Sequence, residues 1–251
     1  MDTPKLDTSY LQALTFLTPS WQSIDFILVG CGGTGSHVAY AIARLLWAVE
    51  QIFPDRKAVA TFVDPDIVEA KNIARQLFCH ADIGRNKAQV LASRLSLSLG
   101  INIGAIPKAF SREMIGDPEH NKLVVIIGCV DNAEARSTIA NCLSQVISPK
   151  KIIWIDGGNH EQSGQVLLGN TPTWAELEKE THKNGFCSLI PSPALIHPEL
   201  LLESKNNIQP LSCAELALLN TQSFAINIRV AAEINDYLRG VTFGGLKKYA
   251  T

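Results

Sequence analysis

The chain has 251 residues, 46% hydrophobic and 18% charged, which is enough apolar material for one sizeable core without a second domain. A net charge of −2 and a pI near 6.3 give no basic field, so nucleic acid is disfavoured as a partner. No apolar run reaches membrane-spanning length, the first residues carry no leader pattern, and the six cysteines are scattered without a C-x-x-C pair. The expectation is a soluble, cytoplasmic protein with reduced thiols, no structural zinc and no membrane contact.

Residues 1–22 read as an N-terminal arm, with a short helix from Ser9 to Phe16 that Pro19 stops. The next stretch is the most informative. Ile27, Leu28 and Val29 end a buried parallel strand, Gly30, Gly32, Gly33 and Gly35 make a turn, and Val38, Ala39, Ile42 and Leu45 give the apolar stripe of a helix. In this arrangement Gly30 allows the tight turn, Gly32 lets a phosphate approach the backbone, and Gly35 lets the helix sit close to the sheet. The helix N-terminus then faces the anion. The pattern fits NAD, FAD or ATP, and also a plain strand-to-helix connection. After a turn signal at residues 53–57, a second strand from Ala58 to Val63 ends at Asp64. An acid there suits ribose hydroxyls; Asp64 as a turn cap, with Pro65 and Asp66, is the alternative.

Asn72, Arg75 and Gln76 then fall at helical spacing, and Lys87 opens a helix running to about Leu99, with Asp82 as its expected N-cap. Two cations beside a glycine turn suit a triphosphate; two solvated helix-face residues are the blander reading. Ile101–Ile106 forms a third strand and Lys122–Ile127 a fourth, buried on both faces. Asp131 follows at its carboxyl end, where it can ligate magnesium beside a polyphosphate, or where it or Asn132 can cap the helix from Ala133 to Val146. Ile152–Ile155 is a fifth strand, followed by Asp156-Gly157-Gly158-Asn159, and Gly164–Leu168 a sixth, antiparallel because no crossover helix precedes it. Residues 170–212 form a long proline-containing crossover loop before a helix from Glu215 to Leu238. Cys213, at that helix N-terminus, is either a nucleophile or a small buried capping residue. Gly244-Gly245 makes a turn in a tail over residues 240–251. Strands alternating with helices give an α/β, Rossmann-like doubly wound fold with a mainly parallel sheet, an added antiparallel strand and a long crossover loop.

Taken together and in order, these motifs resemble the ThiF/MoeB/ubiquitin-activating-enzyme superfamily over most of the chain. The family's glycine turn is similar to Gly30-Cys31-Gly32-Gly33-Thr34-Gly35-Ser36, its ribose acid to Asp64 with Asp66 two residues on, and its N-x-x-R-Q to Asn72-Ile73-Ala74-Arg75-Gln76. Its D-x-G-x-x-K resembles Asp82 to Lys87, its metal-binding D-N resembles Asp131-Asn132, and its late G-x-V strand resembles Gly164-Gln165-Val166. Ser212 to Glu215, with Gln222 and Asn227 further along, looks like the segment where some members keep the cysteine that bonds a ubiquitin-like protein. The chain most resembles small prokaryotic ThiF-family proteins of the PRTRC-system type.

The resemblance implies a single ThiF-type adenylation domain over residues 1–251, a homodimer, and ATP-dependent adenylation of a carboxylate with magnesium held by Asp131. The substrate it implies is the C-terminus of a ubiquitin-like or sulfur-carrier-like protein, with a thioester on Cys213 to follow. Catalytic roles fall to Arg75, Lys87 and Cys213, and nucleotide contacts to Gly30, Gly32, Gly33, Gly35, Asp64, Asp66, Asn72, Gln76, Asp131 and Asn132 as well. Two departures stand out. There is no C-x-x-C zinc pair, and residues 1–25 contain no arginine where many members bring one into the partner's site; Arg44 is one substitute. A non-catalytic nucleotide-binding partner of a heterodimer is the second reading. An NAD-linked oxidoreductase is a third, and dehydration of a tRNA base a fourth that the acidic pI disfavours.

Overall fold

A computed structural model describes residues 14–116, 121–144, 151–159, 163–180, 185–202 and 224–244. In chain order the elements are β1 (Thr15–Phe16), β2 (Ser23–Val29), α1 (Gly33–Ile52), β3 (Lys57–Val63), α2 (Lys87–Leu99), β4 (Ile103–Ile106), β5 (Lys122–Gly128), α3 (Ala133–Ser144), β6 (Ile152–Asn159) and β7 (Gly164–Gly169). They continue as α4 (Trp174–Leu177), β8 (Phe186–Cys187), α5 (Pro193–Ile196) and α6 (Phe224–Phe243). A six-stranded sheet runs β4-β3-β2-β5-β6-β7, parallel throughout except for the antiparallel β6–β7 pair.

The period-2 geometry of the strands divides the core. Phe26, Leu28, Val125 and Ile127 face the layer built from α1, α2 and α6, while Ile27, Val29, Val124 and Ile126 face the layer that includes α3. Residues 124–127 are fully buried, as a continuous apolar run between two helical layers requires. From β2 the chain leaves through α1 to β3 on one side, and β5 pairs on the other. The carboxyl ends of β2 and β5 therefore bracket a crevice at the point where strand order reverses, the place where open α/β sheets bind ligands.

Several boundaries differ from the sequence reading, each for a local reason. Thr15–Phe16 is a strand, because it pairs in parallel with Phe186–Cys187 and buries Phe16; residues 9–13 of the expected helix lie outside the described residues. Helix α1 continues past the Val38–Leu45 stripe to Ile52, leaving residues 53–56 as the link to β3. Asn86, not Asp82, caps α2: its side chain accepts from the Gln89 N–H at 3.1 Å. Asp82 instead accepts the Cys79 N–H at 2.8 Å and pairs with Arg94 at 2.5 Å. Gly100, at φ +68°, ends α2 in the left-handed region, so β4 starts at Ile103 and not Ile101. Beyond residue 170 the chain carries α4, β8 and α5, anchored by the buried Asn170, which donates to the Ser188 carbonyl and accepts from the Ile190 N–H. Helix α6 runs past Leu238 to Phe243, taking in the start of the expected tail; residues 215–223 lie outside the described set. No helix among the described residues is long and apolar enough to cross a membrane.

Leu28, fully buried on the central strand, gives a direct test of this core. Leu28→Ala should cost about 2–5 kcal/mol in unfolding free energy, read from urea denaturation.

Candidate active site

A cavity of 1070 Å³ opens at the strand switch, lined by Gly30, Gly32, Gly33 and Thr34 from the turn after β2, by Asp64 and Asp66 after β3, and by Asn72, Arg75, Gln76 and Lys87. Asp131, Asn132 and Arg136 close another side, and Gly157, Gly158 and Asn159 of the β6–β7 hairpin a third. The structure thus brings together every described site residue expected from sequence except Gly35, which works behind the wall. A Cβ at Gly35 would lie 1.9 Å from the Gly30 carbonyl oxygen, so only glycine lets α1 approach the strand end. Gly30 itself is at φ +90° against the Cys129 backbone.

Helix α1 starts at Gly33 with no side-chain cap and no acid in its first turn. Its positive end meets the cavity through Gly32, Gly33 and Thr34, which suits an anion. The cations around it are held differently. Lys87 Nζ sits 2.8 Å from Asp66 Oδ2, with the lysine side chain 9% exposed, so this charge is already paired. Lys71 pairs with Glu69 at 2.6 Å on the surface. Arg75 has no carboxylate partner among the described residues, and its Nε, like Gln76 Oε1, is buried without a hydrogen-bond partner. Buried polar atoms are rarely left so unless something else completes them. Their chemistry fits phosphate oxygens on Arg75 and a donor group on Gln76.

Asp64 shows the turn-capping geometry directly. Oδ2 accepts the Cys31 N–H at 2.6 Å and Oδ1 the Asp66 N–H at 2.8 Å. Burial raises its pKa, against the lowering effect of these two donors and of Lys87. Asn72 is likewise committed, accepting the Glu69 N–H at 2.8 Å, and Asn132 caps α3 by accepting the Ala135 N–H at 2.8 Å. Asp131 is exposed at the cavity wall and free of partners among the described residues. A magnesium ion that takes one protein carboxylate and otherwise water and phosphate fits that single acid; no group of three His, Cys, Asp or Glu residues gathers among the described residues. Arg44 is exposed on α1 and does not line this chain's own cavity. Cys213 lies outside the described residues. The thiols of Cys31 and Cys129 have raised pKa values, chiefly from burial, and stay protonated.

An ion pair on the cavity wall escapes the sequence reading. Arg136 Nε lies 3.2 and 3.1 Å from the two oxygens of Asp156, which is fully buried within β6, a strand that runs on to Asn159 and does not end at Ile155. The one available signal is position: like Asp64 and Asp131, Asp156 follows an apolar run.

The open-sheet topology and the crevice behind a glycine turn define the Rossmann-like class of α/β proteins. Within it, the chain belongs to the ThiF family, whose profile matches residues 18–191. It is 30% identical over 131 residues to human ubiquitin-like modifier-activating enzyme 6, covering 50% of this chain and 12% of that protein. The mouse protein of the same name is 27% identical over 132 residues, with the same coverage. The chain therefore spans only a small part of the length of these relatives. Among solved structures it is similar to E. coli MccB (TM-score 0.52, 16% identity, 95% of this chain and 58% of that one). It is also similar to PaaA (TM-score 0.51, 16% identity, 90% and 58%). Both likenesses concern the fold.

Burial lifts the Asp156 carboxyl to about 6, against the lowering influence of Arg136. With a folded pKa above its unfolded value, this group's stabilising contribution is complete below about pH 4 and is lost as pH rises through about 6. Wild type should therefore lose up to about 3 kcal/mol relative to Asp156→Asn between pH 4 and about 7. Urea midpoints collected across that range check the slope, whatever the two proteins' absolute stabilities.

Proposed function

We propose that this chain uses ATP to adenylate a carboxylate, the terminal carboxylate of a ubiquitin-like or sulfur-carrier-like protein. The observation that carries the reading is Arg75, which lines a cavity shared with the open N-terminus of α1 and keeps a buried, unpartnered Nε. Membership of the ThiF family supports it, as does the similarity of half the chain to an enzyme named for activating ubiquitin-like modifiers.

In the proposed reaction a carboxylate oxygen attacks the α-phosphorus, the bond to the β-bridging oxygen breaks, and pyrophosphate leaves. An ionised carboxylate needs no general base, so the site's task is electrostatic. Arg75 offers its fork to phosphate oxygens that gain charge in the transition state, and the first N–H groups of α1 face the same anion. Lys87 joins them by exchanging part of its bond to Asp66 for phosphate. Asp64 and Asp66 border the ribose, and Gln76 fixes the orientation of the chain. Asp131 would hold magnesium, which supplies Lewis-acid neutralisation of phosphate charge when bound. As a further step, Cys213 would attack the acyl adenylate, releasing AMP and forming a thioester. A twofold homodimer, a single adenylation domain over residues 1–251 and a cytoplasmic location belong to the same proposal.

A second reading, nucleotide binding without turnover, gains support from the Lys87–Asp66 pair, which neutralises one of the two expected catalytic cations.

Thermal midpoints with magnesium-ATP, ATP alone and NAD test the ligand class. A ligand at 100 times its Kd stabilises by about 2.7 kcal/mol. Magnesium-ATP should raise the midpoint most, and Arg75→Ala should weaken ATP by about 10- to 100-fold, from loss of a charge-assisted contact worth roughly 1.5–3 kcal/mol. A shift with NAD alone would reassign the site to redox chemistry. Carboxylate-dependent exchange of pyrophosphate into ATP separates turnover from binding. An acyl adduct lost in Cys213→Ser and released by thiol reductants would identify the thioester.

A further inference from the structure

The side chain of Asn227, on α6, is fully buried where three segments of the cavity wall meet. Its Oδ1 accepts from Thr34 Oγ1 at 3.3 Å and from Asn159 Nδ2, which also donates to Thr34 Oγ1 at 3.1 Å. With the oxygen fixed by these two donors, the amide nitrogen turns the other way. There it donates to the main-chain carbonyl of Arg75 at 3.4 Å. A Cβ at Gly33 would lie 2.5 Å from the same nitrogen. Gly33 therefore lacks a side chain to make room for Asn227, while Gly32, whose Cβ would meet nothing nearer than 3.9 Å, leaves the cavity side open.

We propose that Asn227 is a positioning residue for Arg75: it locks the Arg75 main chain to the first turn of α1, so that the guanidinium is held against the cavity before any anion arrives. The inference rests on the reading of the cavity as an ATP site and adds to it a residue from α6. Besides the packing of Phe78 in the core, two other side-chain hydrogen bonds tie the Arg75 turn to α1 and α2 among the described residues. One is the Leu77 N–H, which donates to Ser36 Oγ at 3.2 Å, and another is Arg94, which donates to the Leu77 carbonyl at 2.8 Å. Both lie beyond Arg75 in the chain, so Asn227 holds the carbonyl of Arg75 itself. Pre-ordering of this kind reduces the ordering cost at the moment of binding, and its loss falls on the ligand group that the ordered residue contacts.

The test uses two probes. ATP with magnesium carries phosphates for Arg75, whereas adenosine carries none. Both are titrated by ligand-observed NMR against the wild-type chain, Asn227→Ala and Asn227→Ser; the serine keeps a small hydroxyl in the buried position and gives a second variant should the alanine fail to fold. Both variants should weaken ATP about tenfold and change adenosine by less than about twofold. Equal weakening of the two ligands would show general support of the pocket and overturn the inference, as would unchanged ATP affinity in the variants. Wild type that binds adenosine but not ATP would instead sink the adenylation reading, and this inference with it.

Discussion

The carboxylate of Asp64 is the joint on which the ligand edge of the sheet depends. One oxygen takes the Cys31 N–H from the glycine turn and the other the Asp66 N–H from its own. The side chain of Asn86 adds bonds to the Asp64 and Asp66 carbonyls, at 2.8 and 3.0 Å, while its own oxygen caps α2. Through these two side chains, β2, β3 and α2 share a single geometry at their tips. The arrangement depends on burial, because a carboxylate held by backbone donors away from water resists exchange with solvent.

The charges above that joint are graded. Lys87 and Arg136 each carry a carboxylate partner, and the helix end supplies a diffuse positive field, while Arg75 is held by its backbone and presents its head unpaired. A pocket of this kind attracts an anion without the full desolvation cost of several bare cations. The paired residues set the shape of the wall, and Arg75 gives it a charge that no carboxylate neutralises among the described residues.

Local patterns are legible in the sequence and tertiary pairings are not. The glycine turn, the helix from Lys87 to Leu99 and the antiparallel last strand follow from spacing, caps and apolar runs within a few residues of one another. Asp82 reads as the cap of α2 because its pull toward Arg94, twelve positions on, is invisible to a local rule. The strand at Thr15–Phe16 exists only through Phe186–Cys187, and the Arg136–Asp156 pair joins α3 to the middle of β6. Asn227 reads only as a polar position that accompanies the Cys213 segment, on a helix with several others, until its place beside Gly33 is seen. Of the cavity lining, the glycine turn and Arg75, Gln76 and Lys87 are readable from motif spacing; the residues that hold them in place are not.

Helix α6 is also the last of the described elements to be made. Synthesis runs from the amino end, so the strands of the large sheet and α1 leave the ribosome while Asn227 is still untranslated. At 5–20 residues per second, the interval from Gly169 to Phe224 lasts roughly 3–11 s. For that time the side of α1 that α6 will cover stands open to chaperones and proteases. Until α6 emerges, the nascent chain thus carries every strand of the large sheet without the residue that completes this part of the pocket wall.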